Sequence, residues 1–343
     1  MKTLNETFYH VREKITLIGR VWFEDGNLAL PWSASGAALR FRGNAIAITL
    51  MPYKSSEPDF CNVAMKMVID GVEHKSTVTE GGAATLFADG LSEGEHTVHI
   101  YKVSESGEPI FLRDILLLGE CPEVLRYREE RALRLEVLGD SITCGYGVYG
   151  TGNNFVHHEE DATRAYGVLT GEALDADTRL ISWSGRGIVL AWDGSASESF
   201  GEFFVRRARS RKYGMHDFSE WQPDILVING GTNDGSSGKL VIEEFVKGVR
   251  ALYTLAREKY PKAEIVFFYG AMGYQLGEIY EQTIGELERD DAHLYYLPIE
   301  PIEGKSGEIG ANGHPSAAAQ RRFADELSCF IRKVVLPTRA IIG

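Results

Sequence analysis

The sequence predicts two domains of different class: a β-sandwich of jelly-roll type over residues 1–122, then an α/β domain over residues 123–343 with a parallel sheet flanked by helices. Three observations carry this expectation. From Val21 to about Leu118, short alternating apolar runs recur at roughly the 8–12-residue spacing of a sandwich or barrel, with hardly any helical periodicity. Beyond a charged stretch, R-Y-R-E-E-R within Pro122–Arg131, strand-like runs alternate with helix-like ones, the pattern of a parallel sheet covered on both faces. With 343 residues, 44% hydrophobic and 25% charged, the chain is long enough for two cores.

In the first half, Ala45–Leu50 alternates just after Gly43-Asn44. Asn62–Ile69 places Val63, Met65 and Met67 on one face, and Asp70-Gly71 follows as a hairpin signal. His96–Val103 and Ile110–Leu118 close the series, and Pro122–Arg131 reads as the linker. In the second half the strands are expected at Leu133–Leu138, Arg179–Trp183, Ile225–Asn229, Glu264–Tyr269 and His293–Leu297. Helices are expected at Thr163–Leu174, Lys239–Tyr260, Tyr274–Glu288 and Ser316–Val334.

A net charge of −13 argues against a general nucleic-acid or anionic-membrane binder, which must bring cations to phosphates. Cys61, Cys121, Cys144 and Cys329 lie far apart without C-x-x-C spacing, which indicates neither a zinc site nor a disulfide framework; they read as free thiols, with two long-range bridges as the alternative. The opening residues M-K-T-L-N-E-T-F-Y-H lack the apolar core of a signal peptide, so a cytoplasmic protein is expected. No run approaches the roughly 18 apolar residues of a membrane helix.

The second half is organised around Leu133 to Gly147, L-R-L-E-V-L-G-D-S-I-T-C-G-Y-G. A serine at the carboxyl end of the first strand of an α/β domain stands where open parallel sheets bind ligands, and Gly139 lets the chain turn there. Ser182-Trp183-Ser184-Gly185-Arg186-Gly187 follows the second strand, Gly230-Gly231-Thr232-Asn233-Asp234 the third, and Gly313-His314-Pro315-Ser316 introduces the last helix. Together they supply a hydroxyl, an imidazole, a glycine N–H and a side-chain amide, the parts needed for acyl transfer. Ser141 would attack, His314 would take its proton, and Ser141 N–H, Gly185 N–H and Asn233 Nδ2 could converge on the oxyanion.

At these residues the chain resembles the SGNH hydrolases: G-D-S at 139–141, S-G at 184–185, G-x-N-D at 231–234 and H-P at 314–315 match the family's four blocks in order, over roughly residues 133–335. With the sandwich in front, the whole chain is similar to carbohydrate esterase family 2, whose members remove O-acetyl groups from plant polysaccharides such as xylan and mannan. The resemblance implies Ser141 as nucleophile, His314 as base and Gly185 and Asn233 as oxyanion donors, with no metal or organic cofactor. Most SGNH enzymes carry an aspartate three residues before the histidine, where this chain has Ala311, with Asn312 next to it and Glu308 the nearest acid upstream. Some members of the family work with a Ser-His dyad whose imidazole is held by a main-chain carbonyl. That arrangement is expected here, with Glu308 as the alternative third member.

The expected substrate is an acetylated plant oligosaccharide of mannan or xylan type, with no nucleic-acid or membrane partner. The same parts would serve an SGNH esterase, thioesterase or lysophospholipase on another acyl group, and the sandwich would also suit a carbohydrate-binding protein without catalysis. Trp183, Tyr146 and Tyr274 are expected as sugar-stacking walls, and Trp22, Trp32, Trp192 and Trp221 as packing residues. Asp140 and Asp234 are expected to orient loops. Gly145–Gly150 spells G-x-G-x-x-G, but too far from the strand end for a dinucleotide site. His157–Asp161 reads as a charged loop and Arg206–Lys212 as a solvated helix face.

Overall fold

The computed structural model describes residues 1–55, 57, 61–82, 84–153 and 156–342. The chain divides into two units, Met1–Glu130 with Arg207–Lys212, and Arg131–Arg206 with Tyr213–Gly343.

The first unit is built from β1 (Lys2–Thr7), β2 (Thr16–Ile18), β3 (Trp22–Glu24), β4 (Asn27–Leu30), β5 (Gly36–Gly43), β6 (Ala45–Leu50), β7 (Asn62–Ile69), β8 (Val72–Thr79), β9 (Thr85–Ala88), β10 (Gly94–Lys102), β11 (Ile110–Gly119) and β12 (Glu123–Leu125). One sheet runs β3-β4-β11-β6-β9 with β1 also on β11, and the other runs β12-β5-β10-β7-β8 with β2 on β5. Alternate residues of both sheets, among them Phe41, Met65, Met67 and Ile100 of one and Ile46, Ile48, Ile115 and Leu117 of the other, meet in a single core. Burying each such side chain contributes about 1.5–3 kcal/mol. Asp70-Gly71 is the hairpin turn between β7 and β8, both residues at positive φ (49° and 87°), and it sets the register from Ile69↔Val72 to Asn62↔Thr79.

Three local expectations are corrected. β1 lies well before Val21; its alternation is weak, and it forms because β11 offers it a partner from Lys2↔Gly119 to Thr7↔Asp114. The boundary expected after residue 122 moves to 130, because β12 pairs with β5 while Tyr127 N and Glu129 N bond to Lys14 O and Thr16 Oγ1. Arg206–Lys212, expected as a solvated helix face, is not one. Arg209 is 5% exposed and ion-paired with Glu57 (3.0 Å) and Glu105 (3.5 Å), and Lys212 reaches Glu108 at 2.8 Å. A buried guanidinium needs such partners.

His96 gives this unit a pH-dependent clamp. Its Nδ1 lies 2.6 Å from Asp70 Oδ2 and its Nε2 2.9 Å from Ser92 O, two acceptors that both ask for a protonated nitrogen. Burial pulls the imidazole pKa down, but the bonds to Asp70 and Ser92 outweigh it and the net shift is upward. Burial likewise pushes the Asp70 carboxyl up, and its bonds to His96 and Thr97 N carry it below the ordinary value. The imidazole's contribution is complete below its unfolded pKa of about 6.5 and is lost as pH rises through the folded value; the carboxylate's is present above its unfolded value of about 3.9 and is lost as pH falls. The pair therefore stabilises most between roughly pH 4 and 6.5. His96→Gln is expected to lower the melting temperature most in that window and progressively less as pH rises through the raised folded value of the imidazole; a pH-independent difference would show that the pair is not ionic.

The second unit is a parallel sheet of β13 (Leu133–Gly139), β14 (Ala176–Ser182), β15 (Ile225–Asn229), β16 (Glu264–Tyr269) and β17 (Leu294–Pro298), ordered β14-β13-β15-β16-β17. Its helices are α1 (Ser141–Cys144), α2 (Tyr166–Leu174), α3 (Phe200–Phe204), α4 (Thr232–Ser236), α5 (Ile242–Lys259), α6 (Gly277–Leu287), α7 (Ala317–Phe330) and α8 (Leu336–Ile342). α5 buries Phe245, Val249, Leu252 and Ala256, one stripe at helical spacing. Since β14 and β15 lie on opposite sides of β13, the strand order reverses there, and loops at the carboxyl ends of these strands open onto a crevice. No helix among the described residues is long and apolar enough to cross a membrane.

Candidate active site

The turn after β13 is held from several directions. A Cβ on Gly139 would lie 2.0 Å from Thr143 Oγ1, so glycine is required for space rather than for its backbone angle, and α1 can fold back over the strand end. Asp140 caps α1, its Oδ1 accepting from Ile142 N at 3.0 Å. Gln320 of α7, fully buried, donates to Ile142 O (2.9 Å) and accepts from Tyr166 N (2.8 Å), tying the turn to α2 and α7. Ser141 is the first residue of α1 and is 7% exposed.

His314 comes from the loop before α7, whose start is capped by Ser316. Its Nε2 stands 2.8 Å from Ser141 Oγ, and its Nδ1 stands 3.2 Å from the main-chain oxygen of Asn312. A carbonyl accepts only, so Nδ1 carries the proton and Nε2 accepts from the serine hydroxyl. The carbonyl expected from the family resemblance is thus in place, supplied by Asn312.

Glu308 faces elsewhere. Its two oxygens accept from Arg322 Nε (2.9 Å) and Nη2 (2.7 Å), a bidentate pair that ties the loop before α7 to that helix. Glu308→Ala is expected to leave turnover within about threefold of the parent while lowering stability modestly, as loss of a part-buried ion pair does. A hundredfold fall in kcat with the fold intact would return Glu308 to the chemistry.

Gly185 lies in the turn after β14 at φ +77°. The N–H groups of Ser141 and Gly185 find no acceptor among the described residues. Asp234, fully buried, sets the shape of the same loop: its carboxylate accepts from Ile188 N (2.9 Å), Val189 N (2.8 Å) and Leu190 N (2.8 Å). Asn233 reaches the site too, but its Nδ2 donates to Asp140 Oδ2 (3.1 Å) and to Arg186 O (2.8 Å). Asp140 and Asp234 therefore orient loops, as their residue type suggested.

The aromatic residues divide differently from expectation. Trp183 is 7% exposed, packed on Phe203 at 6.0 Å and covered by the Arg186 guanidinium at 4.6 Å, so it belongs to the core and is no open wall. Tyr146 packs against the His314 ring at 4.4 Å between centroids. Tyr274 is 41% exposed after β16; it packs on Tyr269 at 6.0 Å between centroids, and its hydroxyl accepts from Tyr296 Oη at 3.3 Å. Trp192, expected as packing, is 67% exposed and lies across Gly185, where a Cβ would meet its Cδ1 at 2.7 Å. The Asp193-Gly194 turn immediately after it was the available sign that this tryptophan sits at a surface bend.

Comparison with known proteins agrees with this architecture. The profile of the GDSL-like Lipase/Acylhydrolase family matches residues 137–322, and that of the Carbohydrate esterase 2 N-terminal domain matches residues 17–117. The cellulase/esterase CelE of Acetivibrio thermocellus is 28% identical over 329 residues, which are 92% of this chain and 39% of CelE. The chain thus spans well under half the length of that relative. An acetylxylan esterase / glucomannan deacetylase of Cellvibrio japonicus is 30% identical over 264 residues, 71% of this chain and 68% of that protein. Among solved structures, a family two carbohydrate esterase from Clostridium thermocellum in complex with cellohexaose superposes with a TM-score of 0.84 at 27% identity, covering 93% of this chain and 98% of the other.

Proposed function

This chain belongs to the GDSL-like lipase/acylhydrolase family and, with its N-terminal domain, to carbohydrate esterase family 2; from that premise we propose that it removes O-acetyl groups from acetylated plant oligosaccharides of the mannan or xylan type. The observation that carries the chemistry is the Ser141 Oγ to His314 Nε2 hydrogen bond of 2.8 Å. Ser141 Oγ attacks the acetyl carbonyl carbon as His314 Nε2 takes its proton. The oxyanion is received by the N–H groups of Ser141 and Gly185, and Asn233 Nδ2 joins them by exchanging its longer bond, to Asp140, for the oxyanion. His314 then protonates the departing sugar oxygen, leaving an acetyl-Ser141 ester. Water, activated by the same imidazole, releases acetate and restores the serine.

The likeness to an acetylxylan esterase / glucomannan deacetylase and the placement of Trp192 both favour a sugar substrate. A tryptophan left two-thirds exposed beside Gly185 offers a flat apolar face at the mouth of the site, and pyranose rings stack on such faces. Trp192→Ala is expected to raise KM for acetylated oligosaccharides about tenfold while changing KM for 4-nitrophenyl acetate less than about twofold. Equal changes for both substrates would make Trp192 a support for the loop and not a sugar contact.

The reading as a whole is tested by acetate release from acetylated manno- and xylo-oligosaccharides, beside a series of acetyl, butyryl and octanoyl nitrophenyl esters. Release from the sugars with a strong preference for acetyl is expected, and the ratio of the two rates names the sugar. Turnover confined to the longer esters would overturn it.

A further inference from the structure

The geometry points to Tyr146 and Asn312 as positioning residues that together take the place of the carboxylate usually found behind such a histidine; this rests on His314 acting as the base. Four contacts close a ring. Tyr146 N donates to Ser141 O at 3.1 Å, and Asn312 Nδ2 donates to Tyr146 Oη at 3.1 Å. Asn312 O accepts from His314 Nδ1 at 3.2 Å, and His314 Nε2 returns to Ser141 Oγ at 2.8 Å. The ring of Tyr146 packs on the imidazole at 4.4 Å and 41°.

Asn312 is the joint of this ring. Its backbone is left-handed (φ 51°, ψ 34°) inside a single turn, Ala311–Gly313, and its N–H donates to Gly152 O at 2.7 Å. Left-handed asparagine is accessible but unforced, and the residue after it, Gly313, is left-handed as well (φ +71°). Backbone bonds fix the turn, Ala311 N to Gly147 O at 3.1 Å and His314 N to Ala311 O at 3.0 Å beside that of Asn312 N. The Tyr146 hydroxyl adds a tie to the Asn312 side chain, from a residue whose own N–H is bonded to the serine's backbone. The ring adds a second effect: an aromatic face beside the imidazole stabilises the imidazolium formed in the transition state. Ala311 leaves room for this arrangement. Gly147 lies so close to it that a Cβ there would stand 2.9 Å from Ala311 Cβ.

The test uses the full-length chain and the variants Tyr146→Phe, Asn312→Gly, their combination, and Tyr146→Leu. Glycine keeps the left-handed backbone and its carbonyl while losing the side-chain tie, and phenylalanine keeps the ring. Two rates are read: phosphonylation of Ser141 by a fluorophosphonate probe, in which the Oγ–P bond forms and fluoride leaves, and turnover of 4-nitrophenyl acetate. Tyr146→Phe and Asn312→Gly are each expected to lower both rates about three- to tenfold with KM within about twofold, and the double variant to fall no further than the worse single. Tyr146→Leu, losing the ring as well, should fall about 30- to 100-fold. The His314 Nδ1 proton, followed as a downfield resonance, should exchange with water faster in Asn312→Gly and Tyr146→Phe than in the parent. Single effects that multiply in the double variant, or a Tyr146→Phe protein that labels at the parental rate, would overturn the proposal. So would a rise in KM at constant kcat, which would make Tyr146 a sugar wall. Parental labelling of Ser141 without acetate release from any sugar would sink the substrate assignment and leave this inference standing; no labelling of the parent would sink both.

Discussion

Ser141→Ala is expected to lower acetate release about 10⁴- to 10⁶-fold while leaving the melting temperature within a few degrees of the parent. The size follows from what the hydroxyl does. Without it there is no acyl-enzyme, and His314 Nε2, 2.8 Å from the missing oxygen, has nothing to deprotonate but water held in no particular geometry. What survives is the background that free N–H donors and substrate binding give to direct attack by water. The fold should be indifferent, because the turn is secured by other atoms: Asp140 Oδ1 on Ile142 N, Thr143 on Tyr166, and Gln320 on Ile142 O. His314→Ala should match the serine variant within about tenfold, and the double variant should be no worse, since the two side chains act as a unit. Release by Ser141→Ala within about a hundredfold of the parent would place the nucleophile elsewhere.

Asp234→Asn is the second large effect, and here stability and turnover should fall together. The carboxylate is fully buried and accepts three consecutive backbone N–H groups, from Ile188, Val189 and Leu190. Burial pushes its carboxyl up while those three bonds pull it down. An amide of the same shape has one oxygen for three donors and turns its own NH₂ toward the others. Leaving buried N–H groups without acceptors costs about 1–3 kcal/mol each, so a loss of about 2–4 kcal/mol by urea unfolding is expected. Gly185 sits on the segment that this carboxylate shapes, and displacing its N–H from the oxyanion should cost about a hundredfold in kcat. Loss of stability with kcat unchanged would show that the loop keeps its form without Asp234 and would remove it from the path to Gly185.

How much of this was legible beforehand follows from the range over which each feature is decided. Ala45–Leu50, Asn62–Ile69, Ile225–Asn229 and Glu264–Tyr269 are strands at the expected bounds, because alternation or a short apolar run is complete within the segment. The helices came out shorter at their starts: the last expected from Ser316 begins at Ala317, with Ser316 as its cap, and that expected from Tyr274 begins at Gly277. Ends are set by capping and by the loop's other commitments, which periodicity does not record. β1 and β12 were missed for a related reason, since a weak strand exists only where a stronger one pairs with it.

The sequence by itself determined the two classes of domain, the parallel sheet, and the loops that carry Ser141, Gly185, Asn233 and His314, because residue type and spacing along one segment encode all of these. Only the tertiary structure decided among partners distant in the chain. It gave Glu308 to Arg322 and the imidazole to the Asn312 carbonyl, a choice that turns on one residue's φ and ψ. It turned Trp183 inward and left Trp192 in the open, though both are tryptophans near the same glycine. It bound Asn233 to Asp140 before any substrate arrives. Each of these is a competition between acceptors or surfaces that meet only after folding, and its outcome depends on distances that no stretch of sequence contains.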